Sequence, residues 1–338
     1  MTNPMIYTLT ETVIRKTLDE IQDSPQRSIR NLIDMALHFT KGGFQKHFFA
    51  TAQTMLQNEN SGYYKLITDC VNNIDYQRVI DFGINMGYNS FIEGAKTIRT
   101  IEKQKNYNIP WCLTLTVNGK DYIENEEKYH SIIRQGMELG IYTWIIECTD
   151  NPEYIINIAK EFTACAFVFI CQPQEISHAM LDEADDVNNI MFAINYAPHV
   201  SDACRLLRKR KQLYSVLYNY SDDNISEIAL DEILQNIENL HPVFTVFMGD
   251  KKCSDHTRKT VYQYICDARN RQKYSTALWD FYYDNMYVDS IISDDCCSAF
   301  AAENGRVYTY MNKLIKTDCN IFDMPLESVF KKMFLKTL

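Results

Sequence analysis

Cysteine is the residue type in this chain with the widest scope for chemistry, because thiolates hold iron–sulfur clusters, zinc and copper. The chain has eleven cysteines. They lie at positions 70, 112, 148, 165, 171, 204, 253, 266, 296, 297 and 319. No two of them have the CxxC spacing that structural zinc sites use. The pattern favours free thiols in a reducing compartment over a disulfide framework.

Some of these cysteines and two histidines fall at or just after the ends of predicted strands, where they could assemble a mononuclear metal site. They are Cys148, Cys171, His199, Cys253 and His256. The alternative is that the cysteines are small buried hydrophobic residues, since their spacing shows no pairing. We therefore expect no metal site.

A second set of polar residues also follows predicted strands. These are Asp150, Asn195, Tyr196, Asn219 and Asp250. Ligand sites combine apolar walls with a few convergent polar groups, and we expect these five side chains to line one binding cavity at the barrel mouth. The alternative is that they are solvated loop residues.

The elements that must position these residues are short β-branched and aromatic runs that alternate with amphipathic helical stretches. The runs cover residues 111–117, 141–148, 165–171, 190–196, 213–219 and 243–248. Apolar strands separated by helices indicate a parallel sheet whose outer face is covered. The sequence therefore predicts an α/β fold, a six-unit partial TIM-like (βα) barrel.

The chain on either side of the predicted barrel has a different texture. Thr8 and Glu11 have the spacing of a capping box, and apolar residues follow at helical intervals. Asn304-Gly305 in the tail favours a hairpin turn. We predict a helical region over 1–107, the barrel over 108–286, and a small cysteine-bearing extension over 287–338.

Composition excludes several classes of protein. The chain has 338 residues, of which 11 are Gly and 8 are Pro, and 46% are hydrophobic, which is typical of a folded globular protein. Asp and Glu number 44 against 34 Lys and Arg, so nucleic acid is an unfavourable principal partner. No signal peptide or membrane-spanning run is visible, and we expect a cytoplasmic protein without a membrane partner.

Three segments together resemble radical S-adenosylmethionine (SAM) enzymes that carry a helical N-terminal extension. The first is Asn-Ile-Pro-Trp at 108–111, and the second is Ser-Ile-Ile-Arg-Gln-Gly-Met-Glu-Leu-Gly-Ile-Tyr at 131–142. The third is the tail, with Gly-Arg-Val at 305–307, Cys-Asn-Ile at 319–321 and Pro-Leu-Glu-Ser-Val-Phe at 325–330. This tail is similar to the SPASM/twitch extension of peptide-modifying members. The resemblance implies a partial TIM barrel with such an extension.

The residues that carry the family's chemistry are missing. Where the family has CxxxCxxC, whose thiolates hold a [4Fe–4S] cluster, residues 117–125 contain no cysteine. The second strand ends in Glu-Cys-Thr-Asp-Asn-Pro rather than a GGEP-like turn. In the tail, Cys296 or Cys297 matches one auxiliary-cluster cysteine, Tyr310 stands where another is expected, and Cys319 stands where glycine is usual.

These losses predict a degenerate radical SAM-like protein, a pseudoenzyme without catalytic residues that needs neither a [4Fe–4S] cluster nor SAM. The partner that the resemblance implies is a peptide or an active radical SAM enzyme, so the protein would be an accessory to peptide modification. One alternative is an active radical SAM-type enzyme that binds a [4Fe–4S] cluster and SAM through displaced cysteines. Another is a TIM-like enzyme with a repurposed barrel mouth.

Overall fold

The structure, a computed structural model, describes residues 4–39, 43–223, 225–293, 295–310 and 314–336. The part of the chain before the first strand is helical within these residues. Its elements are α1 (Pro4–Asp23), α2 (Pro25–Phe39), α3 (Gly43–Met55), α4 (Gly62–Asn73), α5 (Tyr76–Ile84), a π-helix (Asn85–Gly94) and α6 (Ala95–Lys105). No helix of the described part is long and apolar enough to span a membrane.

Strands and helices alternate after residue 111. The elements are β1 (Cys112–Asn118), α7 (Gly119–Leu139), β2 (Thr143–Asp150), α8 (Pro152–Glu161), β3 (Ala166–Cys171), α9 (His178–Glu183), β4 (Ile190–Asn195), α10 (Val200–Lys209), β5 (Tyr214–Tyr220), α11 (Glu227–Glu238), β6 (Phe244–Gly249), α12 (Asp255–Arg271), β7 (Ala277–Asp280) and α13 (Tyr283–Ile292). The tail adds β8 (Ala299–Ala301), β9 (Arg306–Tyr310), β10 (Leu314–Asn320) and α14 (Leu326–Met333).

The chain forms two compact units. Unit 1 comprises 1–80 and 198–281, and unit 2 comprises 81–197 and 282–338. The division into 1–107, 108–286 and 287–338 was drawn from texture along the chain, and it stays a prediction.

In unit 2 the strands lie in the order β10-β9-β8-β1-β2-β3-β4. The neighbours from β1 to β4 pair in parallel, and β8 also pairs in parallel with β1. β8 and β9 pair antiparallel across the predicted Asn304-Gly305 turn, where Gly305 has a φ of 76° that favours glycine. The α/β class and the mostly parallel sheet expected from the sequence are confirmed.

In unit 1 the strands lie in the order β5-β6-β7, and both pairs are parallel. β7 was not predicted, so the count of six strand–helix units is not confirmed. Its sequence, Ala-Leu-Trp-Asp, is only four residues long and contains no β-branched residue, which leaves little strand signal.

The central strands β3 and β4 are buried on both faces, which is why their sequences are almost continuously apolar rather than alternating. All six residues of β4 are buried, and so are the first four residues of β1 and the first four residues of β2. The largest side chains in this core of unit 2 include Trp144, Phe167, Phe169 and Phe192, each with no exposed area. Burial of these rings contributes to the stability of the sheet.

Buried asparagines hold the turn that leads into β3. Asn189 Nδ2 lies 3.1 Å from the carbonyl oxygens of Ala159 and Phe162 and 3.0 Å from that of Cys165. Asn85, in the π-helix, donates to the carbonyl oxygen of the same Cys165 at 2.9 Å. These side chains satisfy main-chain acceptors that the sheet and helices leave unpaired.

We expect Asn189→Ala to lower the free energy of unfolding by about 1–3 kcal/mol, because it removes the donor to several buried carbonyl oxygens. Asn157→Ala, on the exposed side of α8, is the matched control and should change stability by less than about 0.5 kcal/mol. Urea denaturation followed by circular dichroism measures both. Equal stability of the two variants would contradict the role assigned to Asn189.

Candidate functional site

The exit of β1 is the position at which the family resemblance would place a cluster-binding loop, and here the segment that follows the strand is helical, with a kink at Asn125, whose φ of −126° and ψ of 20° are not helical. β1 ends at Asn118 and α7 begins at Gly119. Asn118 is the N-cap of α7, and its side chain accepts a hydrogen bond from the backbone N–H of Lys120 at 3.0 Å. The last residue of the strand is therefore also the N-cap of the helix.

This junction packs directly on the exit of β2. A Cβ on Gly119 would lie 2.2 Å from the carbonyl oxygen of Asn151, so only glycine allows the two backbones to approach this closely. Lys120 Nζ lies 3.7 Å from Asp150 Oδ2. Asn118 and Asp150 are also paired in the register of the two strands. The strand–helix junction occupies the space beside β2.

Two thiols meet at the exits of β2 and β3. The last paired residues of these strands are Glu147 and Ile170, so Cys148 and Cys171 follow at neighbouring positions, and both are buried. Burial raises the pKa of the Cys148 thiol well above its usual value, and its hydrogen bond to Cys171 and the nearby carboxylates of Glu175 and Glu147 raise it further. Both thiols are free, and Cys148 is held in its protonated form at neutral pH.

Carboxyl groups surround these strand ends. Glu147 is exposed and its Oε2 accepts from Thr116 Oγ1 at 3.0 Å. Glu175 accepts from the backbone N–H of Gln172 at 2.6 Å. Burial raises the pKa of Glu175, and the charges of Asp150 and Glu153 also raise it. Sequence reasoning did not assign a role to Glu175, although its position after Pro173, as the last residue of a capping box, was a usable signal.

The predicted binding residues of unit 2 differ in their surroundings. Asp150 is exposed and near Lys120. Asn195 is 9% exposed, and its Nδ2 donates to the carbonyl oxygen of Cys171 at 3.3 Å. Tyr196 is half-buried. Asp150 and Asn195 thus lie at the carboxyl ends of β2 and β4, as expected from the strand assignment.

The predicted residues of unit 1 lie at the exits of β5 and β6. Asn219 and Asp250 are both exposed. Asp250 Oδ1 accepts from the backbone N–H of Lys252 at 2.6 Å, so this side chain also forms a turn. The shared cavity of all five residues stays a prediction.

The exits of β5 and β6 contain a polar cluster that the sequence analysis did not find. Asp222 accepts from Ser254 Oγ at 2.8 Å and from the backbone N–H of Ser254 at 3.1 Å. Hydrogen bonds from Thr257 and Ser254 lower the pKa of Asp222 to about 2. Burial raises the pKa of nearby Cys253 to about 11. The cluster caps the start of α12, where Ser254 is the N-cap.

The remaining metal candidates do not converge within either unit. His199 has a side chain that is 74% exposed and lies 3.9 Å from Asp202. His256 is exposed and lines a groove of about 590 Å³ in unit 1 together with Asp231, Tyr264 and Lys273. No group of three or more His, Cys, Asp or Glu residues within the described ranges could hold a metal ion.

The three tail cysteines differ in their exposure to solvent. Cys296 is exposed, whereas Cys297 and Cys319 are buried. Burial raises the pKa of Cys297 well above its usual value, and the charge of Asp289 adds to this. Tyr310 stacks on Tyr282 with ring centroids 4.1 Å apart, so the position expected for a cluster cysteine holds an aromatic contact.

A [4Fe–4S] cluster of the radical SAM kind does not fit the residues present at this end of β1. Such a cluster needs three converging thiolates and an open coordination position for SAM. The β1–α7 junction holds no cysteine, and the neighbouring strand ends supply one thiol pair. The close approach of Gly119 to Asn151 leaves no space for a side chain at the start of this segment.

Comparisons with known proteins agree with the fold. No family model matches the sequence, and no curated protein matches it. The structure of Streptococcus suis SuiB bound to S-adenosylmethionine is similar, with a TM-score of 0.51 at 12% identity, and the match covers 70% of this chain and 66% of that chain. SuiB bound to precursor peptide SuiA matches with a TM-score of 0.52 at 11% identity, over 70% of this chain and 67% of that chain. A further SuiB structure matches with a TM-score of 0.50 at 10% identity, and the match covers 85% of this chain and 76% of that chain.

This chain therefore spans about two thirds of the length of SuiB in the first of these matches. At such low identity the similarity concerns the fold alone. It supports the radical SAM-like α/β fold that the sequence resemblance implies.

We expect Gly119→Ala to lower the free energy of unfolding of the protein by about 1–3 kcal/mol, because the added Cβ overlaps the Asn151 carbonyl oxygen and the backbone has to shift. Gly83→Ala is the matched control. Its Cβ would meet nothing within 4 Å, and alanine in α5 should stabilise by up to about 1 kcal/mol. Thermal and urea unfolding measure both variants, and a tolerated Gly119→Ala would show that the junction is not closely packed.

Proposed function

We propose that this protein is a catalytically inactive radical SAM-like protein that binds a peptide at the carboxyl ends of its parallel strands. The observation that carries the proposal is the closely packed, cysteine-free junction between β1 and α7 in a fold similar to that of SuiB. The chemistry of this fold class depends on a loop at that junction, and binding does not.

A peptide partner is supported by two observations. One SuiB structure contains the precursor peptide SuiA, so a related fold is known to hold a peptide. In this chain the strand ends of unit 2 keep exposed polar side chains, among them Glu147 and Asp150. Strand ends without a ligand tend to be filled by apolar side chains, because protein interiors are close-packed.

Charge favours a peptide with basic residues over an acidic one. Glu147, Asp150 and Glu153 lie at or just after the end of β2, and Lys120 is the cation placed near them. The chain as a whole has a net charge of −10. Complementary charge steers association and discriminates between partners more than it adds affinity.

The alternative of an active iron–sulfur enzyme with displaced cysteines has less support. The thiols at the strand ends of unit 2 are Cys148 and Cys171, and a site-differentiated cluster needs one more. The peptide that this protein binds could itself be the substrate of a separate radical SAM enzyme. In that case this protein would present the peptide to that enzyme.

We expect anaerobic reconstitution with iron and sulfide to leave the purified protein colourless, because no group of three metal-binding side chains occurs in the part of the chain that the structure describes. The measurements are iron and sulfide analysis, visible absorbance from iron–sulfur charge transfer, and calorimetric titration with SAM. A stoichiometric cluster together with SAM binding would overturn the assignment as a pseudoenzyme. A protein treated in parallel after unfolding in denaturant controls for iron bound nonspecifically.

We expect peptides selected from a random display library to bind at the strand ends of unit 2. Glu147→Gln and Asp150→Asn should each weaken binding by about twofold to fivefold, the effect of losing one partly exposed ion pair. Asp186→Asn, an exposed carboxylate after α9, is the matched control. Fluorescence anisotropy with the labelled peptide measures the three variants. Equal affinity in all three would place the peptide elsewhere.

A further inference from the structure

Large apolar side chains that lie open to solvent are few in the part of the chain that the structure describes, and two of them border the candidate site. The six are Ile92, Ile123, Tyr154, Tyr287, Ile315 and Leu335. Ile123 is 55% exposed and lies near the start of α7. Tyr154 is 41% exposed and lies in the first turn of α8. Because α7 and α8 follow β1 and β2, both residues stand next to the strand ends of unit 2.

The starts of α7 and α8 are held together by a close backbone approach. A Cβ on Gly119 would lie 2.2 Å from the carbonyl oxygen of Asn151, the N-cap of α8. Ile123 is four residues after Gly119, which places it on the same side of α7, one turn further on. The backbone N–H of Tyr154 donates to the carbonyl oxygen of the same Asn151 at 3.2 Å. Ile123 and Tyr154 therefore each lie within about one helical turn of a single point of contact between the two helices.

Five carboxylates border these two residues from the neighbouring segments. They are Asp121 of α7, Glu147 and Asp150 of β2, Glu153 of α8 and Glu303 of the turn between β8 and β9. Glu303 is held at the end of β2 by a hydrogen bond from Thr149 Oγ1. Lys120 Nζ lies 3.7 Å from Asp150 Oδ2, and this is the ion pair that the described residues form with the five carboxylates. One cation against five carboxylates gives this surface a negative charge.

A surface of this composition favours a partner that is both apolar and basic. An exposed isoleucine and an exposed tyrosine are stabilised when another apolar group covers them, since apolar area then leaves water. The face of the tyrosine ring also attracts a cation. The carboxylates around the two residues repel an acidic partner and attract a basic one. A peptide with a large apolar side chain between basic residues satisfies both requirements.

We propose that Ile123 and Tyr154 form an apolar anchor site for one large side chain of the bound peptide, and that basic residues on either side of that side chain face the carboxylates. The inference rests on the proposed function, because it takes the peptide site at the strand ends of unit 2 as given and names the class of peptide that fits it. Charge attracts the peptide to this surface, and the anchor site decides which of several basic peptides is held.

Two fluorescein-labelled peptides that differ in one residue test the anchor site on the full-length protein. Both have the sequence Gly-Lys-Lys-X-Lys-Lys-Gly, in which X is phenylalanine or serine. Fluorescence anisotropy should give the phenylalanine peptide a dissociation constant lower by about fivefold to twentyfold, because part of its ring is buried against Ile123 and Tyr154. Added salt should weaken both peptides and leave the ratio of their dissociation constants unchanged, since salt screens charges and does not weaken apolar burial.

Ile123→Ser and Tyr154→Ser should each reduce the advantage of the phenylalanine peptide by about threefold, because each removes part of the apolar surface that covers the ring. Tyr154→Phe keeps the ring and should retain the advantage. Leu335→Ser is the matched control, since Leu335 is a 59% exposed apolar residue of the same unit that lies after α14. These variants change exposed side chains, and circular dichroism checks that each of them is folded.

Failure of the anchor site and failure of the peptide site give different results. If the two peptides bind equally well and Glu147→Gln weakens both, the peptide site stands and the anchor site is overturned. A phenylalanine advantage that survives both serine variants also overturns the assignment of Ile123 and Tyr154. If neither peptide binds, the class of peptide named here is wrong, and the peptides selected from the display library decide separately whether the strand ends hold a peptide.

Discussion

Strand β1 is the element on which the rest of unit 2 depends. It pairs with β2 on one edge and with β8 on the other, so the α/β part and the tail are joined through it. Its entry is set by carboxyl groups that accept main-chain N–H groups, and its exit is set by the Asn118 cap. A strand with both ends defined in this way has one register, and the registers of its neighbours follow from it.

The exit of β1 also determines what chemistry the fold can perform. In open parallel sheets and barrels, ligands bind beyond the carboxyl ends of the strands, and the loops there supply the reactive groups. In this chain the first of those loops is replaced by the start of α7, packed on Asn151. Exposed carboxylates such as Glu147 and Asp150 remain beside it. These carboxylates are the groups on which the proposed recognition of a peptide rests.

The strands of the parallel sheet could be predicted because their signal is local. Continuous apolar runs identified β1 to β6 to within about two residues, the usual uncertainty of element boundaries. β7 was missed because its four residues carry little strand propensity and its position depends on pairing with β6. The compact units were beyond sequence analysis for a similar reason, since each combines segments that are far apart in the chain.

The sequence predicts where the residues of the candidate site lie along the strands, but not which groups surround their side chains. Asp150 and Asn195 were correctly placed at strand ends, because strand assignment alone determines that. The sequence did not reveal that Asn195 donates to a carbonyl oxygen of the neighbouring strand, or that Asp250 binds the backbone of its own turn. Asp289 matters through burial and through partners distant in the chain, which no local pattern records, whereas the capping-box position of Glu175 was a local signal.

The cysteines illustrate the same difference. In the sequence the cysteines are the residues with the widest scope for chemistry. In the structure burial is the largest cause of the raised pKa of most of their thiols. It raises the pKa values of Cys70, Cys165 and Cys204 to about 12. A thiol held in its protonated form packs as a small hydrophobic side chain and is a poor nucleophile and metal ligand. The eight buried cysteines, among them Cys165 and Cys204, therefore fill volume in the core of their units.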